Sequence, residues 1–133
     1  MQRPPSWSEQ NAAAFQLDDV VALYHLRAPY PSTLTPFLRD LALPPTGAVL
    51  ELGCGTGNIT RDLAPHVRRI DAIDRSRAMI ERARTLSGGT HPAIRWIEGR
   101  AEEASLDGPY SPVVAGASLH WMDWDVVDRK SVV

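Results

Sequence analysis

The sequence predicts an α/β domain built on a doubly wound parallel sheet. Three observations carry that reading: short apolar runs alternate with helical patterns from Ala48 onward, glycines cluster where the first run gives way to a helix, and an acid closes the second run. With 133 residues, 44% hydrophobic and 23% charged, the chain has the composition of one ordinary globular domain.

The elements follow in order. Residues 1–10 are rich in Pro, Ser and Trp with no apolar period, and read as a flexible terminus. From Asn11 to about His25, Phe15, Leu17, Val20, Val21 and Leu23 or Tyr24 recur every three to four residues, which predicts an amphipathic helix. Ala28-Pro29-Tyr30-Pro31 breaks it. Ser32 or Thr33 then caps a second helix with Leu34, Phe37, Leu38 and Leu41 on one face and Pro36 in its first turn; Pro44-Pro45-Thr46-Gly47 ends it.

Ala48 to Leu52 gives the first strand, and Ile59, Leu63 and Val67 mark the face of the helix behind it. Arg69 to Asp74 gives the second strand. Ser76 caps a helix that turns Met79, Ile80, Ala83 and Leu86 inward, with Gly88-Gly89 closing it. Ile94 to Glu98 gives the third strand and Val113 to Gly116 the fourth, weakened at its start by Pro112, which lacks a ladder donor. About four strands are therefore expected, preceded by N-terminal helices.

Composition sets further bounds. The 14 cationic and 16 acidic residues leave a net charge of −2, which argues against a broadly basic, nucleic-acid-binding surface. No apolar run reaches the ~18 residues of a membrane span, and the start lacks the apolar core of a signal peptide, so a cytoplasmic location is expected. Cys54 is the sole cysteine and has no partner for an internal disulfide. Of the 14 cationic residues 13 are Arg; the one lysine is Lys130. That bias marks 128–133 as a non-native tail behind a domain spanning 11–127, and points to a C-terminally truncated chain. Nothing in the pattern specifies an oligomeric state.

The chemistry concentrates in Glu51-Leu52-Gly53-Cys54-Gly55-Thr56-Gly57, where a strand turns into a helix. Glycines there permit positive φ and let backbone N–H groups approach a ligand. Asp74 lies 21 residues after Gly53, at the end of the second strand, the position from which an acid accepts two ribose hydroxyls. A helix-capping acid is the plainer reading of Asp74. The glycines fall as Gly-x-Gly-x-Gly rather than the dinucleotide spacing Gly-x-Gly-x-x-Gly. Glu51 would repel a pyrophosphate, yet it suits a cationic ligand's ammonium. S-adenosylmethionine carries an ammonium and a sulfonium and no phosphate.

On these residues the chain resembles the class I S-adenosylmethionine-dependent methyltransferases of the small-molecule type, with their Rossmann-like fold. Val49 to Asn58 is similar to the family's first motif, Ile70 to Arg84 to its second, and Gly99-Arg100-Ala101-Glu102 stands at its third. Ala117-Ser118-Leu119-His120-Trp121 and Tyr24-His25-Leu26-Arg27-Ala28-Pro29-Tyr30-Pro31 resemble segments of the trans-aconitate methyltransferase group.

The resemblance implies S-adenosylmethionine as cofactor and a small-molecule acceptor. It implies that Gly53, Gly55 and Gly57 line the methionine and ribose, with Glu51 near the amino group. Asp74 would hold the ribose, Arg75 and Met79 would flank the adenine, and Ala101 and Glu102 would border its edge. Arg100 departs from the pattern, because the family has an Asp there to accept from the adenine amino group, and Arg has no acceptor.

His120 borders the expected transfer centre as a general base or, with Trp121, as a shaper of the substrate pocket. Tyr24, Arg27 and Tyr30 cover the cofactor, grip a substrate carboxylate, or simply pack. His25, His66 and His91 show no metal-ligand spacing, and no metal is expected. The competing readings are a nicotinamide-dependent oxidoreductase and an inactive fragment that keeps a cofactor-binding loop.

Overall fold

The computed structural model describes residues 11, 13–42 and 47–131. Its centre is a four-stranded parallel sheet of β1 (Ala48–Leu52), β2 (Arg69–Asp74), β3 (Ile94–Glu98) and β4 (Val113–Val114). The strand order is β3-β2-β1-β4. The chain thus steps outward from β1 to β3 and returns to the other side of β1, leaving a topological switch point between β1 and β4.

The helices are α1 (Asp18–Leu23), α2 (Leu34–Leu41), α3 (Asn58–Leu63), α4 (Arg77–Thr85) and α5 (Trp124–Ser131). β1 is buried along its whole length, as a strand covered on both faces must be. Its side chains alternate between two cores. Val49 joins Ile59, Leu63, Ile70 and Leu38 on one face; Leu50 and Leu52 join Ile73, Ala101, Met122 and Val127 on the other. Burying one such Leu or Ile contributes about 1.5–3 kcal/mol, so these alternating rows outweigh any surface contact.

β1, β2 and β3 have the expected bounds, and Ser76 caps α4, its Oγ accepting from the Met79 N–H at 3.2 Å. Other expectations are corrected. The helix expected over 11–25 is interrupted at Leu17, which is extended (φ −78°, ψ 131°) between a 3-10 turn, Ala14–Gln16, and α1. Asp18 and Asp19 favour a fresh start there, since acids stabilise a helix N-terminus. Leu17 and Leu23 are consequently exposed, and Val21 alone of that set is buried.

On α2 Leu38 is buried and Leu34 packs against the core, but Phe37 is 60% exposed. Thr33 stands at its start without a side-chain cap bond. The expected stop at 44–46 lies outside the described residues. Val67 lies beyond α3, in extended backbone after a 3-10 turn, yet still packs on the core. α4 ends at Thr85 with Leu86 extended, ahead of the glycines assigned to close it. β4 spans two residues rather than four, because the chain turns away at Ala115. α5 runs without a break across the 127/128 boundary drawn from the sequence.

One polar cluster, centred on the buried Asp71, fastens the β3–β4 connection to the sheet. Asp71, fully buried in β2, accepts from Arg95 Nη2 at 2.8 Å and from the Tyr110 hydroxyl. Arg95 Nη1 donates to Asp107 Oδ2 at 2.6 Å, and Arg69 Nη2 to the Asp107 carbonyl at 2.6 Å. A buried carboxylate needs such partners to be tolerated at all.

Candidate functional site

Two cavities open at the carboxyl ends of the strands, beside the switch point. The first, a cleft enclosing about 710 Å³ of space open to solvent, runs from the loop after β1 to the loops after β2 and β3. Gly53, Gly55, Asp74, Arg75, Met79, Ala101, Glu102, Tyr24 and Trp121 line it, so the structure gathers nine of the sequence-derived site residues around one space. The second is lined by Glu51, Gly53, Tyr24, Arg27, Tyr30 and Asn58, among others. Tyr24, Gly53 and Ala117 border both cavities and mark their junction.

The glycine loop is shaped by what crowds it. Gly53 has φ 68°, and a Cβ there would collide with the Ser118 Cβ. Ser118 Oγ donates to the Leu52 carbonyl at 2.5 Å, which ties the loop after β4 to the end of β1. Gly57 lines neither cavity. It has φ 74° at the start of α3, and a Cβ there would collide with the Trp96 ring. Its glycine is thus accounted for by backbone conformation and packing.

Asp74 braces the loop from β2. Its Oδ2 accepts from the Gly55 N–H at 2.7 Å and its Oδ1 from the Ser76 N–H at 2.8 Å. Ser76, not Asp74, is the N-cap of α4. Burial pushes the Asp74 carboxyl up, and those two N–H groups pull it back. Each oxygen retains a lone pair for a further donor.

Glu51 is 3% exposed at the end of β1 and accepts a hydrogen bond from the Thr60 hydroxyl on α3. Burial pushes its carboxyl up to about 7, against the pull of the Thr60 hydrogen bonds. Above it, Arg27 Nη1 donates to the Tyr24 hydroxyl at 2.6 Å. Burial and the Glu51 charge push the Tyr30 phenol up. A Cβ on Gly116 would lie 2.5 Å from the Tyr30 hydroxyl oxygen, and one on Gly55 3.0 Å from the Tyr24 ring. The N-terminal segment therefore packs directly on the loops after β1 and β4.

Two residues that line the cavities, Phe15 and Ala117, are not among those expected from the sequence. Phe15 lines the first cavity, with ring centroids 5.9 Å from Tyr24 and 5.8 Å from Trp121, and its carbonyl accepts from Ser76 Oγ at 2.8 Å. Its place in a helical period gave no sign of this. Ala117 holds φ 54°, a backbone conformation that costs an alanine about 1–2 kcal/mol, at the junction of the two cavities. Arg100 also lines the first cavity, its Nε 3.7 Å from carboxylate oxygens of both Glu102 and Glu103. Glu102 Oε1 accepts from the Asp123 N–H at 2.8 Å. His120 lines neither cavity; it is half-buried with its ring 4.8 Å from that of Trp121.

Among the described residues no group of His, Cys, Asp and Glu is arranged to hold a metal ion, and no helix is long and apolar enough to cross a membrane. A glycine loop at the switch point, a braced acid after β2 and a cavity joining them are the frame on which comparison with known proteins bears. The family model described as a methyltransferase domain matches residues 49–130. The chain belongs to this methyltransferase family.

The match takes in β1 to β4 and most of α5. The malonyl-[acyl-carrier protein] O-methyltransferase of Halalkalibacterium halodurans is 35% identical over 82 residues, covering 57% of this chain and 30% of that protein. The trans-aconitate 2-methyltransferase of Enterobacter sp. is 34% identical over 87 residues, covering 64% and 33%. This methyltransferase domain thus spans about a third of the length of those relatives. The DhpI–SAM–HEP complex superposes with a TM-score of 0.68 at 20% identity over 98% of this chain and 61% of that one, a likeness of fold.

Proposed function

We propose that the chain binds S-adenosylmethionine across the two cavities and transfers its methyl group to a small acidic acceptor. The observation that carries this reading is the pairing of an apolar cleft ending in Asp74 with a second cavity holding a buried carboxylate and a guanidinium, joined at Gly53. Adenosine suits the first, and the two charges of an amino acid suit Glu51 and Arg27 in the second. When bound, the cofactor supplies a sulfonium-activated methyl group.

The chain's own part is to bind, orient and exclude water. Asp74 accepts from the ribose hydroxyls, Met79 and Ala101 flank the base with Arg75, and Gly53 and Gly55 let the loop backbone close on the ligand. Phe15, Tyr24 and Trp121 cover the junction. Transfer in line from sulfur to an aligned acceptor asks mainly for proximity. His120 then supports Trp121 rather than acting as base, since it lines neither cavity. An acidic acceptor agrees with the names of both relatives, which carry malonyl-[acyl-carrier protein] and trans-aconitate. The lone buried Cys54 agrees with a cytoplasmic setting.

A nicotinamide dinucleotide fits less well, because its pyrophosphate would lie on the loop that starts at Glu51. Isothermal titration with S-adenosylmethionine and with NAD separates the two. S-adenosylmethionine is expected to bind, Asp74→Ala to weaken it roughly 10- to 100-fold, and His120→Ala to leave binding unchanged. Binding of NAD alone would overturn the proposal. A methyl-transfer assay on malonyl thioesters and tricarboxylic acids then tests the acceptor class and whether the chain as given is active.

A further inference from the structure

The carboxylate in the second cavity is held by one residue that the binding scheme leaves unexplained. Thr60 is fully buried on α3, and its hydroxyl donates to Glu51 Oε2. Within a helix a threonine hydroxyl ordinarily turns back to the carbonyl four residues earlier. Here that carbonyl, on Thr56, accepts from Arg61 Nε at 3.0 Å, and the Thr60 hydroxyl points to the strand instead. A buried hydroxyl and a buried carboxylate thus satisfy each other across the β1–α3 contact, on the wall of a cavity.

We propose that Thr60 is a positioning residue: its hydroxyl fixes the Glu51 carboxylate in the orientation that receives a primary ammonium group in the second cavity. The proposal rests on the reading of that cavity as the seat of the cofactor's amino-acid end. Loss of the hydroxyl leaves Glu51 in the same burial with one fewer donor, so it ionises less readily and turns more freely. Other groups also act on Glu51: the Thr60 backbone N–H, which a side-chain substitution leaves in place, lowers its pKa, Asp74 from β2 raises it and Arg61 from α3 lowers it. Tyr30 and Cys54 feel its charge in turn, and Tyr24 and Arg27 line the same cavity. None of these is altered by a change at position 60.

The test compares two ligands that share the adenosine thioether and differ in the amino acid, S-adenosylhomocysteine and 5′-methylthioadenosine, by titration calorimetry between pH 6 and pH 8.5. With Glu51 titrating at about 7, wild-type affinity for S-adenosylhomocysteine should fall roughly 10-fold from pH 8 to pH 6, while that for methylthioadenosine stays flat. Thr60→Val is expected to weaken S-adenosylhomocysteine about 10-fold at pH 7, move its pH profile upward, and leave methylthioadenosine within about 2-fold. Thr60→Ser should restore both affinity and profile. Equal losses for the two ligands, or an unmoved profile, would overturn the proposal, and Thr60→Ala makes the same comparison should the valine variant fail to fold. If methylthioadenosine binds and S-adenosylhomocysteine gains nothing over it, the role of Glu51 and Thr60 falls while the nucleoside site stands. Failure of both ligands on the wild type sinks the cofactor reading itself.

Discussion

Glu51 shows at the scale of one residue how a buried carboxyl costs stability. Its carboxyl is raised from 4.5 to about 7 by burial. The folded chain therefore holds a proton that the unfolded chain has released between those values, and stability falls as pH rises through that window, levelling above it. The loss approaches about 3.5 kcal/mol, since each tenfold change in proton affinity is worth roughly 1.4 kcal/mol. Glu51→Gln should flatten the fall and leave the protein more stable than wild type at pH 8, which urea midpoints at pH 5 and pH 8 would measure. A wild-type slope retained in the variant would assign the effect elsewhere, in the first instance to Asp74, whose carboxyl is raised in the same direction. Arg100 is a contrasting case, a charge on the lining of the first cavity. Facing Glu102 and Glu103, it offers a base edge donors only. Arg100→Asp should tighten S-adenosylhomocysteine roughly 10-fold in calorimetry if the base lies against it; no change would remove position 100 from the site.

Among the elements, legibility divides along the range of the interactions that set them. β2 and the start of α4 could be read from the chain because their causes are local: an apolar run, then Ser76 bonding the N–H three residues on. The same serine donates to the Phe15 carbonyl, 61 residues away, and no local pattern records that. The N-terminal helix departs from its apolar period beside this distant contact: Phe15 turns toward Tyr24 and Trp121, and the helix breaks at Leu17. Gly57 fails for a similar reason, since the ring that crowds it belongs to Trp96 on β3. Asp74, Gly53 and Gly55 line one cavity because strand order brings the ends of β1 and β2 together, a juxtaposition the strand pattern of the sequence already implies. Ser76→Ala removes a cap and the Phe15 anchor at once. It should cost about 1–2 kcal/mol in urea unfolding and raise proteolytic cleavage within residues 13–30; a loss of stability without that cleavage would mean that the Phe15 contact anchors nothing.

At the scale of the whole molecule, the two cavities lie where three parts meet: the ends of the sheet strands, the loop after β4 and the N-terminal segment. β4 touches the sheet through a two-residue pairing with β1, helped by the Ser111 N–H to the Ala48 carbonyl at 2.9 Å. The segment carrying Phe15, Tyr24 and Tyr30 rests on the glycine loops while Leu17, Leu23 and Leu26 face solvent, each more than half exposed. A ligand spanning the junction would touch the sheet, the loop after β4 and this segment together, so binding should order all three. At a concentration about 100 times its dissociation constant, S-adenosylhomocysteine should add about 2.7 kcal/mol, a rise of roughly 10 °C in Tm for a domain of this size. Hydrogen exchange should slow at Asp18–Leu26 and at Ala117–Met122 as well as at the glycine loop. Stabilisation with protection confined to Gly53–Asn58 would mean that the N-terminal segment packs on the site without taking part in it, and Tyr24 and Arg27 would then leave the binding scheme.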